Sequence, residues 1–256
     1  MTVLAACAEA RPGQLDVDAS GPPADAPRSD GAAVNDDAAP PVDAAPDDAA
    51  VADGAAPPTG TFAFQNGVAP TAGYQGCADT YLAQRAADTS HGGASTLNVD
   101  GDDPNLTGQD LHILVRWDVT TLPAGARAAH IRIAFNVADA AANQAYQLFA
   151  LRRAWVEDEA TWQRAAAGTP WQGVGASGVE DRAAQSLGSV RASDDGPIVV
   201  TLGAAGVAVV QGWIDDPSTN HGLTIVGDDN TNGLDLDASD VDDGPHRPRL
   251  EIELGR

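Results

Sequence analysis

The stretch Leu111–Val137, LHILVRWDVTTLPAGARAAHIRIAFNV, decides the fold class of this 256-residue chain. Apolar residues stand at every second position in both of its halves: Ile113, Val115, Trp117 and Val119, then Ile131, Ile133, Phe135 and Val137. This alternation predicts strands with one buried face, and no helical period fits. Pro123 and Gly125 predict a turn between the two strands, because Pro fixes φ and Gly accepts a positive φ. We therefore predict an antiparallel hairpin around which the domain is organised.

Composition divides the chain into two parts. Residues 1–60 contain no aromatic residue and carry 11 acidic residues against 2 arginines, a net charge of −9. All 12 aromatic residues lie between Phe62 and Trp213. A segment rich in Ala, Pro and Asp cannot bury enough apolar surface to offset its chain entropy. We therefore predict a disordered acidic tether over residues 1–60 and one folded domain over residues 61–256.

Short strands recur through the domain at short intervals. The predicted strands are Thr61–Phe64, Leu97–Val99, Tyr146–Leu151, Ile198–Leu202, Gly222–Val226, Gly233–Asp237 and Arg249–Leu254. One short helix is predicted over AAGVAVVQGWI (Ala204–Ile214), ending before Pro217 and crossing between sheets. Residues 171–190 look like a long Gly/Ala/Ser-rich connection. This pattern predicts an all-β fold, an antiparallel β-sandwich with a single helix.

The charge of the domain limits its partners. It carries 26 acidic residues against 12 arginines, and the whole chain has no lysine. This balance argues against binding to nucleic acid and to anionic membrane surfaces, because both need basic patches. The expected state is a monomer.

The N-terminal sequence Leu4-Ala5-Ala6-Cys7 resembles a bacterial lipobox, in which the cysteine is lipidated. Only six residues precede Cys7, so we expect the true start to lie upstream of Met1. The alternative is a chance cysteine in an Ala-rich segment. The lipobox interpretation predicts an extracellular protein, anchored to the cell surface through lipid on Cys7 or secreted, with no other membrane contact.

The order of several motifs resembles a known family. They are ADTYL (Ala78–Leu82), LVRWDVTTLPAGARAAHIRIAFNV (Leu114–Val137), AWVEDEATW (Ala154–Trp162), GVAVVQGWI (Gly206–Ile214), NHGLTIV (Asn220–Val226) and RPRLEIEL (Arg247–Leu254). Together they resemble the DNRLRE domain, also classed as carbohydrate-binding module family 96. The resemblance implies a jelly-roll-like sandwich on a secreted or cell-surface protein that binds polysaccharide without catalysis. Its acidic-glycan ligands depend on basic residues, so a chain without lysine argues against that ligand class.

Candidate glycan contacts are aromatic or positively charged. Tyr74, Tyr81 and Trp171 are candidates for stacking on a sugar ring, and Trp171 is expected to be exposed because its loop is Gly-rich. Three residues of the AWVEDEATW motif could also form a sugar-stacking platform, but the family pattern favours a place in the core for them: Trp155, Thr161 and Trp162. Arg116 lies on the face opposite Trp117, and is either a ligand contact or half of a structural ion pair. The ion pair is the preferred interpretation, because an unpaired buried charge is costly.

Two acidic clusters offer oxygen ligands to a cation. One loop contains Asp100, Asp102, Asp103 and Asn105, which suits Ca²⁺, although a solvated acidic turn is the alternative. The second, weaker cluster runs from Asp235 to Asp243. The run Gly173–Gly178 fits G-x-G-x-x-G, but neither a strand nor a periodic helix flanks it, so we predict a flexible loop.

Catalytic motifs are not found. G-x-S-x-G and H-E-x-x-H are both absent, and nothing in the sequence shows whether Glu157 and Glu159 are spaced as an acid–base pair. We therefore predict a non-catalytic module that binds or scaffolds extracellular polysaccharide. The alternatives are a purely structural or adhesive surface protein and, less favoured, a polysaccharide-degrading enzyme.

Overall fold

The computed structural model describes residues 56, 58–101, 109–227 and 232–255. Their strands are β1 (Gly60–Phe64), β2 (Cys77–Ala83), β3 (Thr96–Val99), β4 (Leu111–Trp117), β5 (Ala128–Asp139), β6 (Tyr146–Leu151), β7 (Arg164–Ala166), β8 (Thr169–Pro170), β9 (Arg182–Val190), β10 (Gly196–Thr201), β11 (Leu223–Val226), β12 (Leu234–Asp237) and β13 (Arg249–Leu254). In this part of the chain the one α-helix is α1 (Ala204–Asp215). The predicted all-β class with a single helix is confirmed.

Two antiparallel sheets form the sandwich. In the first sheet the long strand β5 pairs with β10 along one edge and with β13 and β12 along the other, while β1 pairs with β13 and β3 with β12. The second sheet has the order β2-β4-β11-β6-β9. β7 and β8 form a separate small pair.

One hydrophobic core lies between the two sheets. Alternate residues of β4 face it from the second sheet: Ile113, Val115 and Trp117. Alternate residues of β5 face it from the first sheet: Ile131, Ile133, Phe135 and Val137. The indole N–H of Trp117 donates to the Pro248 carbonyl oxygen at 3.3 Å, so the buried ring keeps its one polar group satisfied.

The predicted hairpin between β4 and β5 is wrong. The two strands belong to different sheets, and β4 pairs with β2 and β11 instead. Residues 118–127 therefore cross from one sheet to the other, which a tight hairpin turn of two to five residues does not do. The alternation was read correctly, since both strands bury their apolar faces. What it could not show was that these faces oppose each other across the core.

A covering segment, residues 152–181, closes the outer face of the second sheet. Its tryptophans form a second apolar cluster with Leu82 and Leu114, which point away from the main core: Trp155, Trp162 and Trp171. β4 is therefore buried on both faces for most of its length. The buried imidazole of His112 contacts this segment through a 2.7 Å hydrogen bond between Nδ1 and the Gly175 carbonyl oxygen.

Asp181 holds the end of the covering segment in place. Its carboxylate accepts backbone hydrogen bonds from Gln172, Gly173 and Gly178 at 2.9–3.1 Å, and the Arg153 guanidinium lies 2.6 Å away. Burial acts to raise the pKa of Asp181, but these donors outweigh it and the pKa is lowered. The Gly-rich run predicted as a flexible loop is thus a hydrogen-bonded turn.

Helix α1 joins β10 of the first sheet to β11 of the second, as predicted. It buries Gly206, Val210 and Trp213, which share one helical face. No helix among the described residues is long and apolar enough to cross a membrane.

Strand β9 is not predicted by the sequence, because its Ala, Ser and Gly residues lack the alternation that marks a half-buried strand.

Candidate functional site

A cleft of about 410 Å³ opens at the end of the second sheet where β4 finishes. Four chain segments meet there: the start of β2, the end of β4 with the turn after it, the covering segment, and the loop from α1 to β11. We call it the Arg116 cleft, and it is lined by Gln75, Gly76, Cys77, Ala78, Arg116, Asp118, Val119, Thr120, Glu157, Pro217 and Asn220.

Arg116 is half-buried on the outer face of β4, with its guanidinium carbon 5.4 Å from the centre of the Trp155 ring. That ring is itself buried, and its N–H donates to the His221 carbonyl oxygen at 2.8 Å. No ion pair of Arg116 within 4.0 Å is found in the described part of the chain, so the preferred close pair is not seen there, although the Arg116 charge acts to lower the pKa of Glu157. Stacking on a fixed aromatic face orients the guanidinium without consuming its N–H donors.

Glu157 stands across the same cleft and has a structural partner. One of its carboxylate oxygens accepts a 2.7 Å hydrogen bond from the backbone N–H of Asp79. Because β2 is an edge strand that pairs with β4 alone among the strands that the structure describes, this bond satisfies a donor on its open side. Burial raises the pKa of Glu157, and the nearby carboxylates of Asp240 and Asp158 act in the same direction.

Behind Glu157 lies a second acid that solvent does not reach. Asp79 is 1% exposed, and its Oδ2 accepts a hydrogen bond from Ser239 N at 2.8 Å. Its Oδ1 has no hydrogen-bond partner among the described residues. Burial raises the pKa of Asp79 to about 8, with Glu157 and Asp240 adding to the effect, so this carboxyl is largely neutral at pH 7.

This pair of carboxyls resembles a hydrolase acid–base pair only in its raised pKa values. A catalytic carboxyl has to reach the substrate, and Asp79 is sealed between the sheets. Cys77 is also buried, and burial raises the pKa of its thiol well above the usual value. Glu157 is thus the only one of these three groups that is not fully buried. The cleft can exchange hydrogen bonds with a ligand through Arg116, Asp118 and Glu157.

Two glycines in the walls of the cleft lie where a larger residue would clash with its neighbours. Gly222 has φ +77°, and a Cβ there would lie 2.2 Å from the Val115 carbonyl oxygen. Asn220 fixes the same loop, because its side-chain amide donates to Trp117 O at 2.7 Å. On the opposite side, the Tyr74 ring lies so close to Gly76 that a Cβ at that position would be 2.6 Å from it.

The structure gives the three aromatic candidates for stacking on sugar different surroundings. The Tyr74 hydroxyl donates to Asp118 O at 2.9 Å, which places this residue behind the cleft wall. Tyr81 is stacked on His91 with 4.0 Å between ring centres. Trp171, predicted to be exposed, is 5% exposed and donates to Thr161 O at 2.9 Å, so that prediction is wrong. The expected burial of Trp155, Thr161 and Trp162 is confirmed.

The predicted cation sites gain no support in the described part of the chain, where no group of three or more His, Cys, Asp or Glu residues is arranged to hold a metal ion. Of the first acidic loop, Asp102, Asp103 and Asn105 lie outside the described residues, and only Asp100 is within them. In the second cluster, Asp237 instead accepts a hydrogen bond from Asn136 at 2.8 Å. The lipidation candidate Cys7 also lies outside the described residues.

Sequence reasoning found Arg116 but missed most of the cleft around it. Gln75, Thr120 and Asn220 stand in three loops that are far apart in the sequence. Thr120 and Asn220 belong to motifs that carry the family resemblance, but none of the three was predicted as a site residue. Glu157 was considered only as a possible catalytic group. Gly222 was predicted as the first residue of a strand, whereas the structure places it just before β11, where it comes close to the backbone of β4.

The chain was compared with known proteins and protein families. No curated protein matches the chain. Residues 70–176 match the family model of carbohydrate-binding module family 96, which confirms for this segment the family resemblance read from the motifs.

Proposed function

We propose that the protein is a non-catalytic module that binds polysaccharide in the Arg116 cleft. The observation that carries the proposal is the placement of Arg116 in an open cleft that Glu157 also lines. Arg116 is stacked on Trp155 and makes no ion pair within 4.0 Å with a carboxylate that the structure describes. All but two of the residues that line the cleft fall within the segment matched by the family model, the exceptions being Pro217 and Asn220. Sugar hydroxyls both donate and accept hydrogen bonds, so a guanidinium beside carboxylates matches them.

Affinity electrophoresis of the full chain through gels that contain dissolved polysaccharides tests this function. At least one polysaccharide should retard the wild-type protein, and Arg116→Ala should reduce the retardation at least fivefold. Arg191→Ala is the matched control, because Arg191 is exposed on the loop after β9, away from the cleft. Melting curves should show that Arg116→Ala is still folded at the assay temperature. Equal retardation of both variants places binding elsewhere, and no retardation by any polysaccharide favours the structural or adhesive alternative.

We further propose that the module stands off the cell surface on the acidic segment of residues 1–60, anchored through lipid on Cys7. The support is the short lipobox-like sequence and the composition that follows it. When the protein is expressed from its own chromosomal locus, it should partition into the membrane fraction. Cys7→Ser should release it into the soluble fraction, and a Cys7→Ser protein that stays with the membranes contradicts the anchor.

A further inference from the structure

The charges that line the Arg116 cleft are unequal. Among the described residues that line it, the one cation is Arg116, which shares the cleft with the carboxylates of Asp118 and Glu157. Two more acids, Asp158 and Asp240, lie close enough to act on Glu157. Residues 61–256 carry 26 acidic residues against 12 arginines and no lysine, so no lysine side chain offsets them.

The Asp118 and Glu157 carboxylates are each held in the cleft by a hydrogen bond from a backbone N–H, which a movement away from a negatively charged ligand would break. The Asp118 carboxylate accepts from the Thr120 backbone N–H at 2.9 Å, and Glu157 is held by the Asp79 backbone N–H. A uronate that reached Arg116 would bring a third carboxylate into the cleft. Like charges brought together across an interface weaken binding, so they lower the affinity for ligands that carry the same charge.

The same arrangement suits a ligand without charge. Arg116 presents N–H donors, while Asp118 and Glu157 present oxygen acceptors. A hydroxyl can accept from the guanidinium and donate to a carboxylate at once. An amino sugar in its ammonium form could donate to the carboxylates, but an ammonium has no lone pair, so it could not accept a hydrogen bond from the Arg116 guanidinium.

We propose that the Arg116 cleft selects uncharged glycans and excludes polyuronates. This inference rests on the proposed carbohydrate-binding function and adds the ligand class to it. Selection comes from Asp118 and Glu157, which repel acidic sugars, while Arg116 supplies donors to neutral ones.

The test compares retardation of the full chain by three classes of polysaccharide: neutral (xylan, mannan, β-glucan), anionic (alginate, polygalacturonate) and cationic (chitosan). We expect retardation by at least one neutral polymer and at least tenfold less by the anionic ones. In the double variant Asp118→Asn/Glu157→Gln, the ratio of anionic to neutral retention should rise at least tenfold. Both substitutions keep an oxygen to accept the backbone hydrogen bonds of the native residues.

The matched control is Glu180→Gln/Asp194→Asn, which makes the same change in net charge at two exposed positions outside the cleft. It should leave the ratio unchanged, because a distant exposed charge is screened by salt. Wild-type retention by a polyuronate or by chitosan as strong as by any neutral polymer overturns the inference but leaves the proposed function standing. A ratio that rises equally in the control also overturns it. Retention by no polymer overturns the proposed function itself.

Discussion

Replacing Asp79 with Asn should stabilise the protein at neutral pH, and the gain should shrink as the pH falls. In the native state this buried carboxyl keeps its proton up to a pKa of about 8. In the unfolded chain an aspartate loses its proton near pH 4. Between these values the native state binds more protons than the unfolded state, so the free energy of unfolding falls as the pH rises.

The size of the effect follows from the proton count. One proton of difference changes the free energy of unfolding by about 1.4 kcal/mol per pH unit, so Asp79 costs the wild type about 2–3 kcal/mol between pH 5 and pH 7. Asn cannot ionise, and its side-chain oxygen can still accept the hydrogen bond from Ser239 N. The stability of the Asn variant relative to the wild type should therefore rise by this amount over the same range.

Guanidinium unfolding followed by tryptophan fluorescence at pH 5, 6 and 7 measures the difference. Asp194→Asn is the control, since it removes one exposed carboxylate and reports the general benefit of lowering a net charge of −23. The change in the free energy of unfolding caused by Asp194→Asn is subtracted from the change caused by Asp79→Asn. The remainder is the part that comes from the burial of the Asp79 carboxyl. A difference between wild type and Asp79→Asn that stays constant within about 0.5 kcal/mol from pH 5 to pH 7 would refute the reasoning.

Two further substitutions test the packing around the cleft and the covering segment. Burial lowers the pKa of His112 to about 4, so below pH 6.5 the unfolded state takes up a proton that the native state does not, and native stability falls. The variant His112→Gln can still donate to Gly175 O but cannot take up this proton. Its free energy of unfolding, measured in urea, should therefore fall by about 3 kcal/mol less than that of the wild type between pH 6.5 and pH 4. A variant with the same pH profile as the wild type contradicts this prediction. Gly222→Ala should cost about 2–4 kcal/mol in the same assay, because its Cβ would overlap Val115 O. Gly125→Ala, with a similar φ of +73° but open space around it, should cost only about 1 kcal/mol, and equal losses would show that φ alone decides.

The sequence predicts strands well where only one of their faces is buried. The alternation in RLEIEL gave β13 with its observed bounds, and Tyr146–Leu151 was also placed correctly. β9 shows the limit, because RAAQSLGSV contains only Leu187 and Val190 as large apolar residues. Its position at the sheet edge comes from pairing with β6, which alternation within a single segment does not encode.

Pairing between strands and burial in loops also depend on distant parts of the chain. The turn chemistry of Pro123 and Gly125 is compatible with a hairpin and with a crossing between sheets, so the local signal could not separate them. Trp171 looked exposed because Gly residues surround it, yet these glycines allow the backbone to pack closely. At Gly175, a Cβ would lie 2.6 Å from the Trp162 ring.

The position of the cleft follows from how β4 is covered. Its core-facing residues are buried by the first sheet, and its outward residues His112 and Leu114 are buried by the covering segment. At Arg116, the last outward position of the strand, Trp155 lies beneath the guanidinium but nothing covers it completely. A large apolar residue at this position would be left half-exposed beside two carboxylates, whereas a guanidinium can stack on the ring and still reach solvent. The burial of the strand thus explains why an arginine stands here, and among the described lining residues it is the one cation. The ligand class that we propose then depends on the acids around it.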